Sequence, residues 1–172
     1  MRQRQNAELR KPEILRNFLE ILVEEGIEGA SIGKVAKRMG IHPSLIMHYF
    51  STKETLIIEA VDHIVHEYGV LIDRMKPRTA DPARRLRRLL DTLVGDEWHR
   101  VSEIAADFSV ISISFRNPEV DRRIRRLYSL YKRFLSGELR ALMDAGLIER
   151  RDPARRAELL MSMLEGYRHF KH

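Results

Sequence analysis

The chain of 172 residues contains no cysteine. That excludes disulfide frameworks, thiolate zinc sites, iron–sulfur clusters and thiol catalysis. It also lacks any run of roughly 18 apolar residues, the length of a membrane span. The opening Met1-Arg2-Gln3-Arg4-Gln5-Asn6 is charged, and no apolar signal core follows it, so a cytoplasmic location and no membrane partner are expected. Glycine (9) and proline (6) are sparse enough that each marks a boundary. No strand pattern has a visible partner; Val110 to Phe115 alternates, but its surroundings read as helix. Motifs for hydrolytic serines, phosphate loops, dinucleotide folds and zinc proteases are absent, so no catalytic residue, no metal site and no cofactor is expected.

What is present is 44% apolar and 33% charged residues, a globular balance, with a net charge of +6. Residues 1–54 hold nine Lys/Arg against seven Asp/Glu (+2), residues 55–80 three against four (−1), and residues 81–172 nineteen against fourteen (+5). The excess lies mainly in the second half, so net charge alone does not locate a nucleic-acid surface.

Apolar positions recur at helical spacing throughout. Ile14, Phe18, Ile21 and Leu22 form one face after Pro12, which suits a first helical turn, and Gly26 and Gly29 stop that helix. Ser31 is a good N-cap for a short helix bearing Val35, Ala36 and Met39, closed by Gly40. Pro43 opens a third, over 43–50. Thr52 caps a fourth that begins near Lys53 and carries a stripe from Leu56 to Ile72. Residues 77–82 read as a loop. A fifth helix passes through Leu86, Leu89, Leu90, Leu93 and Val94; a sixth covers about 96–115, broken by Asn117-Pro118; a seventh covers about 119–145; an eighth starts at Asp152-Pro153 and reaches nearly to the end. The fold class is all-α.

Helices over 31–39 and 43–50, joined by Gly40-Ile41-His42, have helix-turn-helix spacing. In that arrangement the first helix braces on the DNA backbone and the second lies in the major groove. The run Ser31-Ile32-x-x-Val35-Ala36-x-x-x-Gly40-Ile41-His42-x-Ser44-x-Ile46-x-x-Tyr49-Phe50-x-Thr52-Lys53-Glu54-x-Leu56 resembles the DNA-binding domain of the tetracycline-repressor (TetR) family. Glu24-Glu25-Gly26 before it and Leu164-Glu165-Gly166-Tyr167 near the end are also similar to that family. Met47 stands where the family often has Tyr, His42 where Ser is frequent, and Ala30 where Thr is common.

The resemblance implies a three-helix DNA-binding domain over residues 1–52. A linker helix and a helical effector-binding and dimerisation bundle follow over residues 53–172. It implies a repressor that binds a palindromic double-stranded DNA operator as a homodimer and is released by a small-molecule effector. Ser31, Lys34, Pro43, Ser44, Leu45, His48, Tyr49 and Lys53 are the expected DNA contacts. Ser44 has a hydroxyl that can donate to a base or a phosphate; Leu45 can meet a thymine methyl. Ser31 and Lys53, at helix starts, suit phosphates.

Trp98, Phe108, Phe115, Tyr128 and Tyr131 are candidate walls of an effector pocket, with core packing as the alternative for each. Ala157, Leu160, Met161, Leu164 and Tyr167 form an apolar seam that the resemblance assigns to the dimer contact. Two other readings stay open: a helix-turn-helix regulator answering to a partner protein rather than a small molecule, and a helical adaptor without DNA function.

Overall fold

The computed structural model describes residues 2–76, 79–95 and 107–171, with side chains for 10–76, 79–95 and 109–167. Among the described residues there are eight helices and no strand. They are α1 (Arg2–Gly29), α2 (Ile32–Met39), α3 (Pro43–Tyr49), α4 (Lys53–Met75), α5 (Pro82–Leu93), α6 (Asp107–Ser114), α7 (Pro118–Asp144) and α8 (Pro153–Lys171). The all-α expectation is met, and the alternating segment 110–115 lies largely in α6. Of the sixth helix expected over 96–115, residues 96–106 lie outside the described residues.

Proline sets half of the described helix starts. At α5, α7 and α8 a Pro occupies the first position, where its missing N–H would have been unsatisfied anyway. The preceding Asp81, Asn117 or Asp152 accepts the next amides: Ala83 at 2.9 Å, Glu119 at 3.0 Å and Ala154 at 2.9 Å. Pro43 of α3 follows the same plan with His42 before it. Pro12 departs from it, since α1 runs back through it to Arg2. The residues ahead of it, Gln, Ala, Glu, Leu and Arg among them, favour helix strongly enough to extend it. Gly26, at φ 70°, breaks α1 near its end, in line with the stop expected there.

The chain forms two compact units, one of residues 1–67 with 102–124, the other of 68–101 with 125–172. In the first, α1 packs on α2 and on α6, and α2 on α3. Its core holds Ile14, Phe18, Ile21, Leu22, Val35, Ala36, Ile46, Phe50 and Leu56, each no more than 1% exposed. Burying such side chains contributes roughly 1.5–3 kcal/mol apiece. Lys11 ties α1 to α4 by an ion pair with Glu59 at 2.9 Å, and its ammonium lies 5.2 Å from the Phe50 ring centre. Arg123 reaches Asp62 at 2.7 Å.

In the second unit Leu71, Ile72, Leu89, Leu93, Leu135, Leu142 and Ala157 are buried. Arg85 of α5 grips the buried Glu138 of α7 with three hydrogen bonds of 3.0 to 3.2 Å. Arg88 donates to the carbonyl of Arg74 at 3.1 Å, satisfying an acceptor in the last turn of α4.

Candidate nucleic-acid interface

The α2–turn–α3 segment is built from local chemistry. Ser31 accepts the amide of Lys34 at 3.3 Å and caps α2. Gly40 closes α2 at φ 63°, ψ 32°, a left-handed conformation that a side chain resists. The amide of Ile41 then bonds the carbonyl of Ala36 at 3.0 Å. This turn aims α3 so that Ile46 and, just beyond it, Phe50 enter the core. The opposite side of α3 carries Ser44, Met47 and His48, all exposed. Positions three and four apart share a helix face, so these three form one outward row. Pro43 is also exposed, while Leu45 and Tyr49 are half-buried at its edges. Tyr49 meets His48 edge-on, with ring centres 5.5 Å apart.

Two residues were missed from the sequence. Met47 is 52% exposed and shares the outward row, placing an apolar tip beside Ser44 and His48. His42 caps α3: its Nδ1 accepts the amide of Ser44 at 3.3 Å and lies 2.8 Å from the Ser44 hydroxyl. His is a weak capping type, so only the parallel with the other Asx-Pro starts signals it.

The basic candidates are already engaged. Lys34 pairs with Glu25, and Arg38 with Glu24 and, at 3.7 Å, Glu20. The Glu24 hydrogen bond pushes the Arg38 guanidinium further up from its already high range. Lys53 donates to the carbonyl of Ile27 at 2.8 Å, fixing the start of α4 against the end of α1. Thr52 accepts the amide of Thr55 at 3.1 Å and caps α4, as expected.

In the second unit, a groove of about 430 Å³ opens between α7 and α8. Its walls are Tyr128, Ser129 and Lys132 from α7 and Glu158, Met161, Ser162 and Glu165 from α8. Burial raises the carboxyl of Glu165 above its usual range. Burial, and then the Glu165 charge, raises the phenols of Tyr128 and Tyr131. Of the expected pocket residues, Tyr128 lines this groove and Tyr131 is buried in the same unit. Phe115 is 83% exposed after α6 and is not among the groove's walls. Trp98 and the side chain of Phe108 lie outside the described residues.

The expected seam on α8 divides. Ala157 and Leu164, seven apart, are buried within the chain itself. Leu160 and Met161 are half-buried, and Tyr167 is 50% exposed. Among the described residues, the large apolar side chains that α8 turns to solvent are Leu159, Met163 and Tyr167, at four-residue spacing. No helix among the described residues is long and apolar enough to cross a membrane.

A capped short helix, a glycine turn and a second short helix with one side buried and the other exposed make a helix-turn-helix. Residues 14–60 match the family of bacterial regulatory proteins called the tetR family, and residues 82–168 match the C-terminal domain of BetI-type transcriptional repressors. The chain belongs to the TetR family of transcriptional regulators, which are not enzymes.

It is 25% identical over 158 residues to the regulator BetI of Brucella anthropi, covering 92% of this chain and 79% of that one. It is 30% identical over 128 residues to BetI of Proteus mirabilis (70% and 64%) and 27% over 146 residues to the repressor NicS of Pseudomonas putida (83% and 65%). The chain thus spans a little under two thirds of the latter two. A TetR regulator from Haloarcula marismortui superimposes with a TM-score of 0.81 at 21% identity, covering 94% of this chain and 85% of that one. A transcriptional regulator from Saccharomonospora viridis, solved in complex with choline, does so at 0.77 and 18% (92% and 83%). These likenesses establish the fold.

Proposed function

We propose that the chain is a sequence-specific repressor that binds a palindromic operator as a homodimer and leaves it when a small organic cation binds. The DNA-binding module is residues 1–52, and residues 53–172 carry the effector site and the dimer contact. The observation that carries the DNA reading is the outward row Ser44–Met47–His48, presented by a helix whose other side, through Ile46, is fully buried. In the complex α3 enters the major groove, with Pro43, Ser44, Leu45 and His48 near the base edges. Ser31, Lys34, Tyr49 and Lys53 lie along the phosphates. A two-fold dimer then requires half-sites about one DNA turn, or a multiple of it, apart.

The dimer contact is assigned to α8, through Leu159, Met163 and Tyr167 with Leu160 and Met161 beside them. The effector is assigned to the groove between α7 and α8. The Glu165 carboxylate attracts a cation, and the Tyr128 ring offers it a π face. The choline held by the similar structure from Saccharomonospora viridis favours an organic cation. A ligand in the groove touches α8 directly. It favours one placement of that helix over another and so alters the spacing of the two recognition helices.

Selection from a random DNA pool at physiological salt tests the DNA reading. A palindrome is expected; a single enriched half-site would overturn the dimer, and no enrichment by folded protein would overturn DNA recognition. The effector reading is tested by titrating choline and related quaternary amines against the operator complex. Release is expected, and Tyr128→Ala with Glu165→Gln should remove the response while leaving ligand-free DNA affinity in place. Release that persists in that double variant would place the effector elsewhere.

A further inference from the structure

At α5, α7 and α8 the residue before proline caps the helix with a side-chain oxygen, and the residue two further on, whose amide it accepts, is Ala83, Glu119 or Ala154. None of these bears a hydroxyl. At α3 the cap is an imidazole and the corresponding residue is Ser44. Here one ring nitrogen meets two groups of the same residue. The Ser44 amide lies 3.3 Å from His42 Nδ1, and the Ser44 hydroxyl lies 2.8 Å from it.

An amide N–H can only donate. A hydrogen on Nδ1 would point at another hydrogen, so Nδ1 is the bare nitrogen and the ring proton sits on Nε2. The hydroxyl at 2.8 Å must then donate to Nδ1 as well. Its single hydrogen is committed to the cap, and what Ser44 Oγ shows to its surroundings is lone pairs.

We propose that His42 makes Ser44 an acceptor-only reader of the operator, selecting a base that presents an amino group in the major groove. This rests on the reading that α3 enters that groove. Adenine offers N6–H₂ and cytosine N4–H₂ there, whereas guanine offers the acceptors N7 and O6, and thymine O4 and a methyl group. Ser44 therefore accepts adenine or cytosine on the strand it faces and rejects guanine and thymine. The sequence alone leaves a serine free to donate or accept; the cap removes half of that choice.

The test compares operator selection by the wild type and three variants, followed by affinities for operators changed symmetrically at one position. Ser44→Ala locates the position, which is the one whose preference it erases. The wild type should prefer adenine or cytosine there by roughly five- to tenfold. His42→Ser keeps a good N-cap, confirmed by an unchanged helical spectrum and melting point, but leaves the Ser44 hydroxyl free to turn. The preference should fall below about twofold, with the rest of the half-site unchanged. His42→Asp restores an acceptor that cannot donate when ionised. It should keep the adenine-or-cytosine preference while its negative charge weakens binding to all operators alike.

A wild-type preference for guanine or thymine at that position overturns the proposal. So does full selectivity in His42→Ser, or a Ser44→Ala variant that erases no position while the palindrome persists. If folded wild type enriches no DNA sequence, the groove reading itself fails and this inference falls with it.

Discussion

At Gly40 the backbone sits at φ 63° with nothing within 4 Å of where a Cβ would stand, so a side chain there meets backbone strain and no clash. Gly40→Ala should therefore lower stability by about 1–2 kcal/mol, read by urea unfolding. A variant as stable as the wild type would mean that the turn relaxes without loss. Glu165 gives a prediction of the opposite sign. Burial raises its folded-state pKa, so the fold favours the protonated form. That advantage is present at pH below the unfolded value and is lost as pH rises through the folded one. Glu165→Gln should then melt higher than wild type near pH 7, and the difference should vanish on acidification to about pH 4, where an unperturbed glutamate becomes protonated. An equal difference at both pH values would point to packing instead. Gly40, Ser31 and Thr52 were legible in the sequence because caps and turns are chemistry between near neighbours. Lys34 reads as a DNA contact or a solvated residue and Lys53 as a phosphate ligand, because their partners, Glu25 and the carbonyl of Ile27, become neighbours only when α1 folds against α2 and α4.

Among the elements, the helix order and most starts were legible, since the caps Ser31 and Thr52 and the prolines at 43, 82, 118 and 153 write them directly. The face that each helix turns outward was less so. On α8 the apolar positions 157, 160, 161, 164 and 167 read as one seam, but a helix with apolar residues on several sides does not say which stripe the rest of the chain covers. Ala157 and Leu164 are covered, which leaves Leu159, Met163 and Tyr167 outward. On the proposed dimer contact, Leu159→Lys with Met163→Lys should give a monomer in sedimentation at micromolar concentration with the helical spectrum intact, where the wild type gives a dimer. A dimer that survives would move the contact off this stripe. The link between α5 and α7 was invisible in the sequence, where Arg84-Arg85-x-Arg87-Arg88 offers four arginines and nothing says which of them turns inward. Arg85 turns in to Glu138, and their side chains are only 22% and 12% exposed. Removing one partner strands the other, so Glu138→Ala should cost about 2 kcal/mol or more, measured by thermal or urea unfolding. A loss within a few tenths of that of an exposed control such as Glu149→Ala would show that Arg85 finds solvent.

For the molecule as a whole, little of the net positive charge lies where the proposed reading puts DNA. Of the net +6, only +2 lies in residues 1–54, the segment that holds the recognition helix. Within it, Lys34 and Arg38 on the bracing helix are held by Glu25 and Glu24, with Glu20 beside Arg38. These pairs are exposed, and exposed pairs add little to stability. Their larger consequence is for binding, since a phosphate must displace a carboxylate before either cation can serve it. On the proposed reading, specific contacts along α3 repay that exchange at the operator, whereas a random duplex does not supply them. Glu24→Gln with Glu25→Gln removes the competitors and keeps the side-chain length. The variant should melt as the wild type does, bind all duplexes more tightly, and narrow the ratio of operator to random-DNA affinity. Each cation newly available to a phosphate steepens the plot of log affinity against log salt by about 0.9, so on random DNA the slope should steepen by roughly 1–2. An unchanged slope would mean that α2 does not approach the backbone closely enough for Lys34 and Arg38 to reach it. The discrimination between operator and random DNA would then rest on α3 alone.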